Sequence, residues 1–336
     1  MTASARKPVV LCLTEMHESG MSLLRERTEL RMASGTDPAT LAREIPEAEG
    51  LVIRTSGVVD AALLDAAPRL KVIGRHGVGF DHVDVPAATA RGVQVVYTPG
   101  ANVEAVVEHT FALMIGVSKH FPKMLKAVAE FRHHDRTSVM GRDIRGRTLG
   151  IVGFGRIGKQ VGRVAYQAFG MKVLYNDIVP IAPEDEQAAG ARRVSLEELL
   201  AESEYVSLHV PLDASTRRMI HDGRLARMRP DAILINTCRG AVVDEAAVAR
   251  ALDEKRLWGY GADVYELEPP PRDHPLIGRD DCMLTPHCAA QTIESLINMA
   301  SWSAQGVVDV LEGRPPKYPV NDPAEVMAAR RRLGKV

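Results

Sequence analysis

Short apolar runs alternate with amphipathic stretches along most of the chain. Residues 9–13, 50–53, 70–74 and 93–97 are apolar-rich runs of four or five residues, the length of strands buried on both faces. Between them, residues 17–27 and 61–66 carry apolar side chains at helical spacing, and the second stretch stops before Pro68. This alternation predicts a parallel sheet covered by helices, in a lobe of roughly 100 residues. A long helix is predicted over 102–118, with Val106, Val107, Thr110, Phe111, Met114 and Ile115 at helical spacing. Residues 120–145 read as polar and irregular. A second series then begins with a strand at 148–152, and further strands are expected at 173–175, 205–208, 233–235 and 261–264. A run at 283–285 closes that sheet, and a last long helix ends near Leu311. The expected class is α/β, with two doubly wound parallel-sheet lobes.

A chain of 336 residues suits two domains. The last helix has no third domain to join, so it is expected to return to the first lobe. Hydrophobic residues are 46% and charged residues 25%, the balance of a soluble globular protein. The net charge of -1 gives no overall field to attract nucleic acid or a membrane surface. No apolar run approaches the roughly 20 residues needed to span a bilayer, and the run at 9–13 is too short for a signal-peptide core. Cys12, Cys238, Cys282 and Cys288 match no zinc spacing and read as reduced thiols, which suits the cytoplasm. Arg330, Arg331, Arg332 and Lys335 read as part of a solvated tail.

Gly153, Gly155 and Gly158, with Arg156 and Ile157, form a G-x-G-x-x-G loop between an apolar strand and a helix. Glycines there permit a tight turn and let the backbone approach a pyrophosphate, while the helix N-terminus offers N–H groups to the anion. Asp177 stands at the end of the next strand, where a carboxylate accepts from the adenine ribose hydroxyls and repels a 2′-phosphate. No basic residue follows at 178–180, so NAD is expected rather than NADP. The lobes are therefore read as a Rossmann-type nucleotide lobe, 102–287, and a flavodoxin-like substrate lobe, 1–101 with 288–322, followed by a tail at 323–336.

Arg239, Glu268 and His287 each lie just past a predicted strand, at the sheet end where open α/β folds bind ligands. A guanidinium can hold a carboxylate and polarise a carbonyl, and an imidazole paired with a carboxylate can exchange a hydroxyl proton. A second anion site is the backbone of Gly77, Val78 and Gly79, which can form a small nest of N–H groups.

These residues together resemble the D-2-hydroxyacid dehydrogenase family, to which 3-phosphoglycerate and glycerate dehydrogenases belong. The resemblance covers about residues 8–321. Its carriers are the stretch from Gly74 through Asp81, Thr98 to Asn102 with Glu108 and His109, the loop at 153–158, Cys238 to Gly240 with Val243 to Glu245, Asp263 to Pro269, and Thr285 to His287. It implies that Arg239 binds the substrate carboxylate and carbonyl, that Glu268 pairs with His287, and that His287 is the acid/base. It implies NAD held by Arg156, Ile157, Asp177 and Pro211, with Asp263 at the nicotinamide amide. Thr237, Cys238, Arg239, His287, Ala289 and Ala290 would line the nicotinamide pocket. Arg54, Arg75, Val78, Gly79, Asn102 and Arg239 would meet a small anionic 2-hydroxy or 2-keto acid: 3-phosphoglycerate, glycerate, hydroxypyruvate or similar. A homodimer is implied, and no metal is expected. Cys288 to Thr292 departs from the glycine-containing stretch that often follows the family's histidine. The same fold also serves as an NADH-sensing corepressor, which stands as the alternative function.

Overall fold

The computed structural model describes residues 6–335; residues 1–5 and 336 lie outside this range. The chain divides into one unit made of 1–102 with 291–336 and another made of 103–290.

The first unit holds β1 (Val9–Cys12), β2 (Glu29–Met32), β3 (Gly50–Ile53), β4 (Val72–Arg75) and β5 (Gln94–Val96). They pair in parallel in the order β2-β1-β3-β4-β5, the flavodoxin-like winding. β1, β3, β4 and β5 are buried along their whole length, which explains their apolar-rich runs, with Arg75 and Gln94 the polar exceptions. The helices between them start on side-chain caps: Asp37, Asp60 and Asp84 each accept the backbone N–H three residues on. The helix Ile293–Leu311 packs on Glu18–Arg27. A Cβ at Gly20 would stand 2.5 Å from the Ala300 carbonyl oxygen, so only glycine lets these two helices approach so closely.

In this unit the apolar pattern misses a strand and two helices, and one expectation needs correction. β2 adds a strand that the apolar pattern does not show, because its residues are partly exposed at the sheet edge and form no apolar run. The helices Pro38–Glu44 and Val85–Ala90 are short and carry a weak pattern. The stretch 323–336, expected as a solvated tail, contains the helix Pro323–Arg332, capped by Asp322 and started by Pro323. That helix packs on Val85–Ala90 and buries Val326 and Ala329, so its arginines are only its outer face.

The second unit opens with the helix Val103–Ser118 and then holds β6 (Thr148–Val152), β7 (Lys172–Asn176), β8 (Ala191–Arg193), β9 (Tyr205–Leu208), β10 (Ile233–Asn236), β11 (Gly259–Ala262) and β12 (Cys282–Leu284). The order is β12-β11-β10-β9-β6-β7-β8, all parallel. Within it lies the 3-2-1-4-5-6 Rossmann order, with β12 added at the edge. Winding reverses between β6 and β9, and at such a switch point the carboxyl ends of the strands are open to a ligand. Residues 120–145 are not irregular throughout: Phe121–Ala129 is a helix and His133–Thr137 a 3-10 turn. β11 starts two residues earlier than its apolar pattern suggested, and Asp263 falls just past it.

Candidate active site

In the second unit each strand from β9 to β12, with β6 and β7, delivers a residue of interest at its carboxyl end. β6 runs into Gly153, whose φ of +89° suits glycine. A Cβ there would lie 2.6 Å from the His209 carbonyl oxygen, and one on Gly158 would lie 2.1 Å from the Gly153 oxygen. At Gly155 nothing lies within 4 Å. The helix Arg156–Phe169 begins at Gly155 with no side-chain cap, so its first N–H groups face the loop without a side-chain acceptor. Asp177 anchors the neighbouring turn through Oδ2, which accepts from Phe154 N at 2.6 Å, and Oδ1, which accepts from Val179 N at 2.8 Å. This cradle fits a dinucleotide: close backbone and a helix N-terminus for the pyrophosphate, and a carboxylate beside it for the ribose. Arg193, unnoticed in the sequence, donates to the Asp177 carbonyl oxygen at 2.7 Å. Pro211 lies past β9, and its carbonyl accepts from the Thr216 hydroxyl.

Arg239 follows β10. The preceding turn is fixed by the buried side chain of Asn236, which accepts from Cys238 N at 3.1 Å and donates to the Arg239 carbonyl at 2.9 Å. Burial pushes the Cys238 thiol up to about 11, so it stays protonated at neutral pH. The Thr237 hydroxyl lies 3.2 Å from that of Thr110. Next comes Gly240, where a Cβ would stand 1.9 Å from the backbone of Tyr265; the two loops touch through bare backbone.

Glu268 and His287 meet. The Nδ1–H of His287 donates to Glu268 Oε2 at 2.6 Å, and Glu268 Oε1 accepts from Tyr265 N at 3.0 Å. Burial opposes the charge on Glu268, but the bonds from His287 and Tyr265 N and the positive charges of His287 and Arg239 outweigh it, so its carboxyl lies below the ordinary value. The three residues Arg239, Glu268 and His287 therefore form one electrostatic cluster. His287 has a φ of +53°, an uncommon conformation for a histidine. The backbone after it is tied to Asp263, whose Oδ1 accepts from Cys288 N and whose Oδ2 accepts from Ala289 N, both at 2.8 Å. Asp263 is only 1% exposed and also accepts the Thr285 hydroxyl at 2.6 Å. Most of its capacity thus goes into shaping the turn that carries His287, Ala289 and Ala290.

Sequence reasoning missed the support under Glu268. Glu245 accepts Glu266 N at 3.2 Å and pairs with His274 Nε2 at 2.9 Å, both side chains being buried. The signal was there: Val243 to Glu245 stood out as a motif, but its partner lies 29 residues away.

The other expected substrate residues belong to the first unit. Arg54 donates to Gln291 Oε1 at 3.1 Å. Arg75 is buried, and it donates to the carbonyl oxygens of Gly79 (2.6 Å) and His76. These bonds brace the loop 76–79. Gly77 N–H donates to the Thr98 hydroxyl at 3.1 Å, so it is removed from the expected nest, and the N–H groups of Val78 and Gly79 are left as its candidates. The Asn102 Oδ1 is buried without a hydrogen-bond partner, the state of an acceptor that a ligand could satisfy.

Comparison with known proteins points to one family. Residues 111–289 match the family described as D-isomer specific 2-hydroxyacid dehydrogenase, NAD binding domain. A glyoxylate reductase of Korarchaeum cryptofilum is 38% identical over 331 residues, covering 96% of this chain and 98% of its own. A D-3-phosphoglycerate dehydrogenase of Archaeoglobus fulgidus is 36% identical over 316 residues, covering 94% of this chain; the match spans only 59% of that relative's length. The crystal structure of an Aquifex aeolicus D-lactate dehydrogenase with NAD and lactic acid superposes with a TM-score of 0.83 at 30% identity, covering 93% of this chain and 98% of that one. The chain belongs to the D-2-hydroxyacid dehydrogenase family, NAD-binding oxidoreductases that act on the CH–OH group of 2-hydroxy acids.

Proposed function

We propose that the protein transfers a hydride between NAD(H) and C2 of a small 2-hydroxy or 2-keto acid, with Arg239, Glu268 and His287 as its catalytic residues. The observation that carries this reading is the 2.6 Å bond between His287 Nδ1 and Glu268, within the influence of the Arg239 charge. In reduction, Arg239 holds the substrate carboxylate and polarises the C2 carbonyl. His287, bonded to Glu268 through Nδ1, has Nε2 available to give a proton to the oxygen that becomes the hydroxyl. The Glu268 carboxylate stabilises the imidazolium before that transfer. NAD, when bound, supplies or accepts the hydride. Purified protein that binds NADH yet turns over no 2-keto acid would favour the corepressor-like alternative.

Glyoxylate, hydroxypyruvate or glycerate, and 3-phosphoglycerate are the substrate classes in view. Arg54 is the proposed specificity residue, since a guanidinium suits a phosphate or carboxylate tail. Arg54→Ala should raise KM for a phosphorylated substrate more than it lowers kcat. If glyoxylate, which has no tail, suffers as much, Arg54 has a structural role.

Asp177 supports a preference for NADH over NADPH. The ratio of their kcat/KM values should favour NADH, and Asp177→Ala should narrow it by removing both the ribose acceptor and the repulsion of a 2′-phosphate. A wild type that prefers NADPH contradicts this.

A homodimer fits the outer face of the second unit. Leu125, Val128, Phe131 and Met140 are 68%, 66%, 95% and 78% exposed, and Leu125 lines a groove with Phe121, Ile277, Met283 and Pro286, whose rim carries Lys126, Arg279 and Asp280. Large apolar side chains left this exposed are expected to be covered, here by a second copy. Sedimentation should give a dimer, and a double Leu125→Asp, Phe131→Asp variant should sediment as a monomer; a monomeric wild type at micromolar concentration contradicts the proposal. A cytoplasmic setting is proposed because the four cysteines are free thiols, which a reducing compartment preserves. No helix among the described residues is long and apolar enough to cross a membrane.

A further inference from the structure

The turn that carries His287 holds a second set of side chains with different chemistry. His109, on the helix Val103–Ser118, points Nε2 at the Thr285 hydroxyl at 2.8 Å and lies 3.6 Å from Asp263 Oδ1. Cys288 follows His287, and its Sγ completes a group with these two. The histidine nitrogen, the carboxylate oxygen and the sulfur all lie within 4.8 Å of one another. All three belong to the second unit.

The chemistry of this trio is unlike that of an exposed acidic cluster. It combines imidazole nitrogen, carboxylate oxygen and thiol sulfur, the donor types that bind zinc. Bond lengths of about 2.0–2.3 Å place the donors of a four-coordinate zinc roughly 3.5 Å apart. The histidine–carboxylate separation of 3.6 Å already meets this, and the sulfur, within 4.8 Å of both, has to close in on binding. A carboxylate offers about four lone-pair sites: Asp263 Oδ1 accepts from Thr285 Oγ1 and Cys288 N, and Oδ2 from Ala289 N, so an ion takes the remaining site on Oδ2, or the site on Oδ1 that the Thr285 hydroxyl leaves when it turns to the ion. The Thr285 hydroxyl or a water can take the fourth position of a tetrahedral ion.

We propose that His109, Asp263 and Cys288 form a binding site for a thiophilic divalent cation of the zinc class. Binding replaces the proton on the Cys288 thiol, which is released to solvent, so the sulfur coordinates as thiolate. Because Asp263 and Cys288 lie in the turn assigned to the nicotinamide, an ion held there also blocks the dinucleotide. This last consequence rests on the cofactor reading above, whereas the site itself does not.

The test is a titration of the purified full chain with Co2+, without NADH and with reduced thiols. One equivalent should produce the near-ultraviolet thiolate-to-cobalt band together with the visible bands of a four-coordinate ion, and one equivalent of Zn2+ should abolish both. Cys288→Ser should remove the thiolate band, and His109→Asn should weaken Co2+ binding at least tenfold. No thiolate band in the wild type overturns the site. So does a band that survives in Cys288→Ser, since it would come from Cys12, Cys238 or Cys282. Circular dichroism identifies a variant that fails to fold; should Cys288→Ser do so, Cys288→Ala takes its place, with the same expected loss of the band and the same contrary result. Added NADH should bleach the band; a band that NADH leaves intact overturns the blocking while the site stands.

Discussion

His287→Ala should lower kcat for reduction of a 2-keto acid by about two to four orders of magnitude, the usual worth of a positioned acid/base. NADH affinity should change little, because the residues assigned to the pyrophosphate and ribose are at Gly153 to Gly158 and Asp177. A fluorescence titration with NADH separates the two effects: loss of binding along with turnover would mean that the substitution disturbs the cofactor cradle. Glu268→Gln should be milder and should show in the pH profile. Reduction consumes a proton that His287 supplies, so activity falls at alkaline pH. The Glu268 carboxyl lies below its ordinary value, so it is charged around neutral pH and favours the imidazolium. Removing that charge disfavours the imidazolium, and the alkaline limb should move to lower pH. An unmoved limb would mean that another group titrates, or that Glu268 is not its partner.

Gly240→Ala should be nearly as damaging by a different route. The new methyl would sit 1.9 Å from the Tyr265 carbonyl carbon and 2.3 Å from Glu266 N, both backbone atoms that no rotamer change can move aside. The 265–268 turn must shift, and it carries Glu268. It is also tied down by Glu245 through Glu266 N, so it resists. Overpacking of this kind costs about 1–3 kcal/mol or more of stability, and loss of the Glu268–His287 register should cut kcat at least tenfold in the protein that folds. Urea unfolding and steady-state kinetics measure the two losses. A Gly240→Ala protein with wild-type stability and kcat would show that the two loops are not packed as described.

Central strands were legible because both of their faces are buried. Tyr205–Leu208 and Ile233–Asn236 are buried along their whole length and read as mostly apolar runs, broken only by Ser207 and Asn236. Edge strands were not: Glu29–Met32 and Ala191–Arg193 are partly exposed and polar, and only pairing with a neighbour makes them strands. The helix Phe121–Ala129 escaped because it starts from a left-handed His120 and leaves Leu125 and Val128 in solvent, which blurs its buried stripe. At the C-terminus the signals were present. Asp322 and Pro323 mark a helix start, and Val326 and Ala329 are three apart, but the run of arginines drew attention to charge alone. In the candidate site, Arg239, Glu268 and His287 stood out because each is a charged or titratable residue just past an apolar strand. What holds them could not be read, since the supporting bonds join residues far apart in sequence: Asp263 with Cys288 and Ala289, and Glu245 with His274.

The most direct test of the central claim is a spectrophotometric assay of NADH oxidation by the purified chain against glyoxylate, hydroxypyruvate, 3-phosphohydroxypyruvate and pyruvate, with the His287→Ala protein run in parallel. Steady NADH consumption is expected with at least one of these acids, and a rate lower by about two to four orders of magnitude in the variant. NADH consumption that the variant sustains at the wild-type rate would contradict it.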